Sequence, residues 1–339
     1  MTPRLEQKLK RIHANPTGHD FILADAKDAD MCWGVASAGW VGRPDSGRYR
    51  TMPEFLEQTR AIVAQGIVDV MLGSVSTMSL LAHRERIFER SDVTPAVRIN
   101  DTSDVWCPRG GKYRECASLP FATAYIEEAQ FGSVAANGKD TPIVNLGLYS
   151  VTFNNEAVGD RETLLAFKEF RANARRRGFH YFLEVFAPNV DAHIPPEEVP
   201  AFVNDNICRM LAGVSLDDRP IFLKVPFFSP RALEELTAYD PSMIVGVMGG
   251  SSGTTYDAFR LLADAHKYGA RVALYGRKIK DAEAPLAFIE FMRRIVDGEI
   301  GPREAVKAYH AELEHLHIEP RRALADDLKS TRTELSYRR

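Results

Sequence analysis

The sequence predicts an α/β fold in which eight strands alternate with helices, and three observations support this prediction. Short apolar stretches of strand length recur along the 339 residues. A longer stretch with helical periodicity follows almost every one of them. The connections between these stretches are mostly short. Because strands that alternate with helices pair in parallel, eight such units fit a single (β/α)8, or TIM, barrel better than an open doubly wound sheet.

The predicted elements cover most of the chain. After a charged first helix that ends near His13, strands are predicted within residues 21–31, 67–73, 95–101, 142–150, 180–186, 220–226, 243–249 and 271–275. Helices are predicted at 53–65, 78–90, 161–177, 195–212, 230–239 and 255–268, with two extra C-terminal helices at 285–296 and 303–316. We therefore expect a single barrel domain over residues 1–317 and a charged tail over residues 318–339.

Composition narrows the classes of function. The chain is 45% hydrophobic and 26% charged, with a formal net charge of −3. This charge balance does not indicate the basic surface that binding of nucleic acid requires. Four scattered cysteines favour a reducing cytosol, and the absence of a signal peptide and of any apolar run of about 18 residues argues against export and membrane spanning. We expect a cytoplasmic homo-oligomer that acts on a small molecule.

Lys224 lies in the middle of a short apolar strand, PIFLKVP, at residues 220–226. Strand alternation places Lys224 on the face opposite Leu223 and Val225. Burial in an apolar environment lowers the pKa of a lysine, and a neutral amine can attack a carbonyl carbon to form a Schiff base. The structural alternative is a buried lysine paired with a carboxylate.

Glu184 is the carboxylate that we expect beside Lys224. It lies in the preceding strand, 180–186, and alternation places it opposite Leu183 and Val185. Catalytic groups of TIM barrels project from the C-terminal ends of the strands. An amine and a carboxylate at that end are the minimal pair for imine formation and proton transfer.

The same alternation rule predicts further polar side chains in the barrel interior. The rule assumes that the more apolar face of each strand meets the helices and that the mixed face meets the interior. The residues placed inside by this rule are Asp25, Lys27, Arg98, Asn100, Asn145 and Tyr149. Asn145 falls earlier in its strand than the others. We expect Asp25, Lys27 and Tyr149 to assist at substrate hydroxyls, and Arg98 and Asn145 to contribute to binding.

Two glycine-containing segments follow the last two strands. GGSSG supplies Gly249, Gly250 and Ser251, and YGR supplies Gly276 and Arg277. Glycine allows backbone N–H groups to approach an anion, and a helix N-terminus adds partial positive charge. A Gly/Ser run alone is usually a turn, but TIM barrels often bind phosphate at these two loops. We therefore predict a phosphate site there.

No metal or other cofactor is predicted. Asp25, Asp28 and Asp30 are possible cation ligands, but alternation places Asp25 on the face opposite the other two. His310, His315 and His317 do not share one helical face well.

Several segments together resemble class I aldolases of the tagatose-bisphosphate and sulfofructose-phosphate type. They are FLEVFAP (182–188), LKVPF (223–227), GGSSG and YGR, and the resemblance is strongest between residues 182 and 299. It implies that Lys224 forms a Schiff base with a ketose phosphate and that Glu184 assists proton transfer. It also implies that the phosphate binds at Gly249, Gly250, Ser251, Gly276 and Arg277.

The chain departs from that family at two places, so we expect a different substrate. The family pattern like DQRG at the end of the first strand is here Asp25, Ala26 and Lys27, and Asn145 replaces the second lysine of the fourth strand. The sequence therefore predicts a metal-independent class I aldolase that cleaves or forms a C–C bond in a phosphorylated sugar or related anionic ketone. The alternatives are an isomerase or decarboxylase that uses the same imine, and a non-catalytic sugar-phosphate sensor.

Overall fold

A computed structural model describes residues 1–41, 47–134, 141–250 and 253–332. In this part of the chain, eight parallel strands form a closed barrel. They are β1 (Ile22–Lys27), β2 (Val70–Gly73), β3 (Thr94–Arg98), β4 (Leu146–Thr152), β5 (His180–Phe186), β6 (Leu223–Val225), β7 (Val245–Met248) and β8 (Val272–Tyr275). Each strand pairs with its neighbours in chain order, and β8 pairs with β1 to close the barrel. The predicted (β/α)8 fold is confirmed.

The longer helices surround the barrel. They are α1 (Pro3–Ala14), α2 (Met52–Gln65), α3 (Ile126–Phe131), α4 (Ala157–Arg176), α5 (Val199–Leu211), α6 (Pro230–Tyr239), α7 (Thr255–Lys267), α8 (Pro285–Val296) and α9 (Pro302–His315). Helices α8 and α9 follow β8, as predicted. Shorter helical segments lie at Asp30–Trp33, Val75–Met78, Arg277–Lys280 and Leu324–Asp327.

The helix predicted at residues 78–90 is shorter in the structure. A helix at Val75–Met78 continues as a π-helical segment, Ser79–Arg84. Arg86 then takes a positive φ of 58°, a left-handed conformation that cannot continue a right-handed helix.

Helix α1 seals the N-terminal end of the barrel. Its apolar residues Leu5, Leu9 and Ile12 pack in one cluster with side chains from the strands. Lys8 Nζ donates a hydrogen bond to the buried carboxylate of Asp69, which also accepts one from the backbone N–H of Leu23, each at 2.9 Å. Because this end is filled, a ligand cavity must open at the other end, where the strands terminate.

The interior of the barrel is a packed apolar core below the site. The inward side chains are Ile22, Ala24, Val70, Leu72, Ala96, Leu146, Leu148, Phe182, Phe222, Ile244, Val272 and Leu274. Side chains of the opposite parity, such as Leu23 and Leu183, pack in the cluster that includes the surrounding helices. Alternation therefore predicted the inward face correctly for β3, β5 and β6.

The predicted inward face was wrong for β1 and β4. Asp25 and Lys27 share the outward parity of Leu23, and Tyr149 packs in the outer cluster. The rule failed because the lower barrel interior must be filled by apolar groups, so the more apolar parity of β1 and β4 faces inward there.

The segment after α9 lies against the barrel as far as it is described. Leu328 packs against the outer core cluster. Asp327 is buried, and its carboxylate accepts hydrogen bonds from Thr255 N at 2.8 Å and His310 Nε2 at 3.0 Å. In the described residues, no helix is both long and apolar enough to cross a membrane.

We expect Phe182→Ala to lower the free energy of unfolding by about 3–5 kcal/mol. Phe182 is fully buried inside the barrel and stacks on Phe222 with ring centroids 4.6 Å apart, so truncation leaves a cavity that the closed barrel cannot collapse. Urea unfolding measures the loss. The control is Leu216→Ala, at a side chain that is 75% exposed, where a change within about 0.5 kcal/mol is expected. A comparable effect of the two substitutions would contradict a close-packed barrel interior.

Candidate active site

Lys224 and Glu184 form a buried ion pair inside the barrel. They are directly opposite each other in the register of β5 and β6, and both have the inward parity. The distance from Lys224 Nζ to Glu184 Oε1 is 2.5 Å. Lys224 is 7% exposed and Glu184 is 2% exposed. The structure thus brings together the two residues on which the sequence analysis centred.

The second oxygen of Glu184 is held by the neighbouring strands. Glu184 Oε2 accepts hydrogen bonds from Arg98 Nη2 at 3.0 Å and from Ser150 Oγ at 2.7 Å. Arg98 Nη1 also donates to Ser150 Oγ at 2.7 Å, and Arg98 Nε donates to Asp28 Oδ2 at 2.6 Å. Four buried charges therefore alternate in sign: Lys224, Glu184, Arg98 and Asp28. We call them the charge row.

The charge row keeps its two carboxylates and Arg98 ionised. Burial acts to raise the pKa of Glu184, but the positive charges of Lys224 and Arg98 outweigh it and hold that pKa below its ordinary value. Burial opposes ionisation of Asp28 in the same way, and Arg98 with Lys224 lowers the pKa of Asp28. The pKa of Arg98 lies well above its ordinary value because Asp28 and Glu184 outweigh the effect of burial. Both carboxylates are therefore negatively charged at neutral pH.

A cavity of about 320 Å³ opens over the charge row at the C-terminal end of the barrel. Of the described residues that line it, six carry a positive charge and three carry a carboxylate. The cations are Lys27, Arg98, Arg114, Lys224, Arg277 and Lys280, and the carboxylates are Asp28, Asp104 and Glu184. A positive cavity in a chain whose net charge is −3 favours an anionic ligand.

The predicted phosphate loops border this cavity. Gly249, Gly250, Gly276 and Arg277 all contribute to its lining, whereas Ser251 lies outside the described residues. A Cβ on Gly276 would lie 2.5 Å from the carbonyl oxygen of Ala26, so a larger residue cannot fit there. The guanidinium of Arg277 lies over the Trp33 ring, 5.1 Å from its centroid. Stacking leaves the N–H edges of a guanidinium available to an anion.

The long loop predicted after the third strand also reaches the cavity. Asp104, Val105, Cys107 and Arg114 line it. The Asp104 carboxylate accepts hydrogen bonds from Ser118 Oγ at 2.8 Å and from Thr152 Oγ1 at 2.9 Å. The bond from Thr152 attaches the loop to β4, and the loop thereby forms one wall of the cavity.

Asp25 and Lys27 lie between β1 and the helix layer rather than in the barrel interior. Asp25 Oδ2 is 3.2 Å from Lys27 Nζ, which donates a hydrogen bond to Gln58 Oε1 of α2 at 2.9 Å. Burial raises the pKa of Asp25 to about 6, against the opposing effect of Lys27, and burial lowers the pKa of Lys27. Lys27 borders the cavity, but Asp25 is not among the described residues that line it.

Asn145 and Tyr149 are not at the site. Asn145 precedes β4 at the N-terminal end of the barrel, where its Nδ2 donates to the Gly178 carbonyl at 2.9 Å. The ring of Tyr149 stacks on Phe170 of α4 with centroids 4.3 Å apart. The expected placement of both residues near Lys224 was therefore wrong. Asn145 was assigned to the wrong end of its strand, and Tyr149 to the wrong face.

Sequence reasoning considered Asp28 only as a cation ligand and did not assign Ser150, Lys280 or Arg114 to the site. Asp28 has the same parity as Ala24 and Ala26, and small residues at alternate positions were the available signal that this face of β1 is crowded by the barrel interior. Ser150 has the parity of Leu146 and Leu148. No sequence signal separated Lys280 and Arg114 from other surface cations.

No family model matches the chain, and no curated protein matches it in sequence. Solved structures do resemble its fold. An archaeal fructose 1,6-bisphosphate aldolase is 16% identical, covers 87% of this chain and 99% of its own, and has a TM-score of 0.59. An archaeal fructose-1,6-bisphosphate aldolase with its catalytic Lys covalently bound to the carbinolamine intermediate is 15% identical, covers 87% and 100%, and also has a TM-score of 0.59.

A third similar structure is the Cgl0159 protein of Corynebacterium glutamicum. It is 18% identical, covers 88% of this chain and 99% of its own, and has a TM-score of 0.58. The structural neighbours are thus TIM barrels that include Schiff-base-forming fructose-1,6-bisphosphate aldolases. At these identities the likeness concerns the fold, and the tagatose-bisphosphate or sulfofructose-phosphate type stays a prediction.

We expect that Arg98→Gln unfolds more readily in acid, so that its stability begins to fall at a higher pH than that of the native protein. In the native protein the pKa values of Glu184 and Asp28 are lowered. The two carboxylates therefore stabilise the fold at pH values above their pKa in the unfolded chain, about 4.3 for Glu and about 3.9 for Asp. This stabilisation is lost as the pH falls through the lower pKa values of the folded protein. Without the Arg98 charge, burial raises both pKa values. We expect a loss of about 3–5 kcal/mol near pH 7, and urea unfolding from about pH 3 to about pH 8 measures the profile.

The control for this experiment is Arg60→Gln. Arg60 pairs with Glu85 at 2.8 Å on the protein surface, so its loss is expected to cost at most about 1 kcal/mol and to leave the pH profile unchanged. An Arg98→Gln profile that overlays the native one would show that the charge row does not control ionisation of the two carboxylates.

Proposed function

We propose that the protein is a class I aldolase that cleaves or forms a C–C bond in a phosphorylated or otherwise anionic ketone through a Schiff base on Lys224. The observation that carries the proposal is the Lys224 and Glu184 pair, 2.5 Å apart, at the base of a positively charged cavity. A structural ion pair has the same geometry, so the proposal depends on a chemical test of the amine. The Schiff-base aldolases among the fold neighbours support it only at the level of the barrel.

The first chemical step requires a neutral amine. Glu184 accepts the proton of the Lys224 ammonium, and the free amine attacks the ketone carbonyl to form a carbinolamine. Glu184 then returns a proton to the leaving hydroxyl, which departs as water and leaves a protonated imine. Because Glu184 Oε1 already contacts Nζ, this transfer needs no rearrangement of the side chains.

Arg98 and Asp28 keep the charge balanced during this exchange. Proton transfer neutralises Lys224 and Glu184 together, and Arg98 remains paired with Asp28 at 2.6 Å. No uncompensated charge is therefore created in the buried row. When the protonated imine forms, its positive charge replaces that of the ammonium beside Glu184.

The protonated imine then serves as the electron sink. A base removes the proton of the hydroxyl on the carbon beyond the bond that breaks. The C–C bond electrons move toward the imine carbon, an aldehyde leaves, and an enamine on Lys224 remains. Glu184 and Asp28 are the carboxylates of the charge row that line the cavity, and we propose Glu184 as the group that moves protons.

The anionic end of the substrate is proposed to bind at the opposite side of the cavity. Gly249 and Gly250 present backbone groups after β7, and Gly276 and Arg277 follow β8. Lys27 and Lys280 also line this cavity and add positive charge to it. A phosphorylated polyhydroxylated ketone has the two features that this arrangement suits, a carbonyl for Lys224 and an anion for the two loops.

We expect borohydride to trap a covalent adduct on Lys224. Incubation with dihydroxyacetone phosphate or another candidate ketone, followed by reduction, converts an imine to a stable secondary amine that peptide mass mapping locates. Lys224→Met should abolish the label and the turnover. The control is Lys168→Met, at an exposed lysine of α4, which should be labelled like the native protein.

Three outcomes have different meanings for the proposal. A label on Lys224 with release of an aldehyde supports the aldolase. A label without C–C cleavage favours an isomerase or decarboxylase that uses the same imine. Tight binding of sugar phosphates with no label on Lys224 favours a sensor and overturns the proposal.

We expect Arg277→Ala to weaken the binding of phosphorylated ketones by about 10- to 100-fold, because a charge-assisted hydrogen bond is lost. Unphosphorylated analogues should bind nearly as before. Isothermal titration calorimetry with matched pairs of ligands measures the difference, and Arg303→Ala, at the outer surface of α9, is the control. Equal weakening of both kinds of ligand would place the anion elsewhere in the cavity.

A further inference from the structure

The chain segment after α9 returns to the mouth of the barrel and contacts the β7–α7 loop. We propose that residues 324–332, which we call the docking segment, hold Gly250 and Gly253, the described ends of this loop, in the positions that receive the anionic group of the substrate. This inference rests on the proposed use of Gly249 and Gly250 as the anion loop. It assigns Asp257, Ser330 and Thr331 as positioning residues.

Asp257 is the centre of the contact. It is fully buried near the start of α7, and its carboxylate accepts a hydrogen bond from Thr254 N at 3.0 Å as part of a helix capping box. The same carboxylate accepts bonds from Ser330 Oγ at 3.0 Å, Thr331 N at 3.1 Å and Thr331 Oγ1 at 2.5 Å. One side chain therefore caps α7 and binds the docking segment.

Two further bonds anchor the docking segment to the first turn of α7. Thr254 Oγ1 donates to the carbonyl of Lys329 at 2.8 Å, and Thr255 N donates to the buried carboxylate of Asp327 at 2.8 Å. The Thr254 hydroxyl, the Thr255 N–H and the Asp257 carboxylate thus all bond to this segment. Helix N-terminal N–H groups need such partners, so undocking would remove the acceptor of the Thr255 N–H.

The described ends of the anion loop, Gly250 and Gly253, pack against this contact. Gly253 ends the loop with φ of +91°, and a Cβ there would lie 2.5 Å from Asp257 Oδ2. Gly250 faces Arg332, whose Nη1 would lie 3.3 Å from a Cβ on that glycine. On the side of β8, Lys278 Nζ donates to the Gly253 carbonyl at 2.7 Å. The loop ends are therefore fixed by Asp257, Lys278 and the docking segment together.

The position of the loop depends on docking because the docked segment contributes hydrogen bonds to Asp257. Bonds to a buried carboxylate are stronger than neutral ones, and their loss frees both the segment and the Asp257 side chain against which Gly253 packs. An anion bound by the loop would favour the docked state, and docking would raise the affinity for the anion by the same factor. The segment would thereby select for phosphorylated substrates.

The experiment compares the native protein with the double variant Ser330→Ala/Thr331→Val. This variant removes both hydroxyl donors to Asp257 and nearly preserves side-chain volume. Hydrogen–deuterium exchange of peptides that cover residues 249–256 should rise by about tenfold, while peptides from β5 and β6 should not change. The affinity for inorganic phosphate should fall by about five- to tenfold. Thr331→Ser, which keeps the hydroxyl, should behave like the native protein.

A matched control is Ser242→Ala. Ser242 Oγ donates to the Asp240 carboxylate at 2.6 Å in an exposed turn after α6, so this variant loses the same kind of bond without contact to the loop. Loop exchange and phosphate affinity should both be native in it. The reciprocal measurement is trypsin cleavage after Lys329 in the native protein, which phosphate should slow by several-fold relative to sodium chloride of equal ionic strength.

Several results would overturn the inference. They are unchanged exchange of the loop in the double variant, increased exchange with native phosphate affinity, and tail cleavage that phosphate does not slow. Failure of the aldolase proposal is distinguishable, because none of these measurements requires imine formation at Lys224. Native protein that does not bind phosphate at all would contradict both the anion loop and its dependence on docking, whereas Lys224 could still be labelled by an unphosphorylated ketone.

Discussion

The buried row of alternating charges is the constraint on which the site depends. A lone ammonium or carboxylate inside a barrel is costly, and the row removes this cost because Lys224, Glu184, Arg98 and Asp28 sum to zero charge and satisfy one another over 2.5–3.0 Å. Ser150 completes the arrangement by bonding to both Arg98 and Glu184. The proposed reactivity of Lys224 requires a nearby proton acceptor, and Glu184 is such an acceptor with its own charge balanced.

The barrel supplies the rigidity that this row requires. Lys224 and Glu184 face each other through the strand register, and the row continues through Ser150 of β4 and Arg98 of β3 to Asp28 after β1. An apolar plug formed by α1 and the inward side chains fills the lower interior. The four charged side chains therefore lie on close-packed apolar side chains, which exclude solvent from that side of the charge row.

The lining charges divide the cavity into two regions. On the β3 to β6 side the charges cancel, which suits proton transfer at a carbonyl. On the β8 and β1 side Arg277, Lys280 and Lys27 line the cavity beside glycine-containing loops, which suits an anion. The docking segment contacts the start of α7 behind one of these loops, so a part of the chain distant in sequence from the barrel strands borders the proposed anion region.

The alternation of apolar strands and helices by itself determined the barrel, because each element has to bury one face and eight consecutive parallel units bury them all. Alternation within β5 and β6 also determined that Glu184 and Lys224 face inward together. Only the tertiary structure decided which face of β1 and β4 points into the barrel. Alternation along one strand does not show whether the barrel interior beside that part of the strand is filled by apolar side chains or open to the cavity. The tertiary structure places Asp28 and Ser150 in the site and Asp25 and Tyr149 outside it. Tertiary structure also decided the contact of Ser330 and Thr331 with Asp257, because it joins residues more than 70 positions apart, and a local pattern in the chain cannot encode a pairing at that separation.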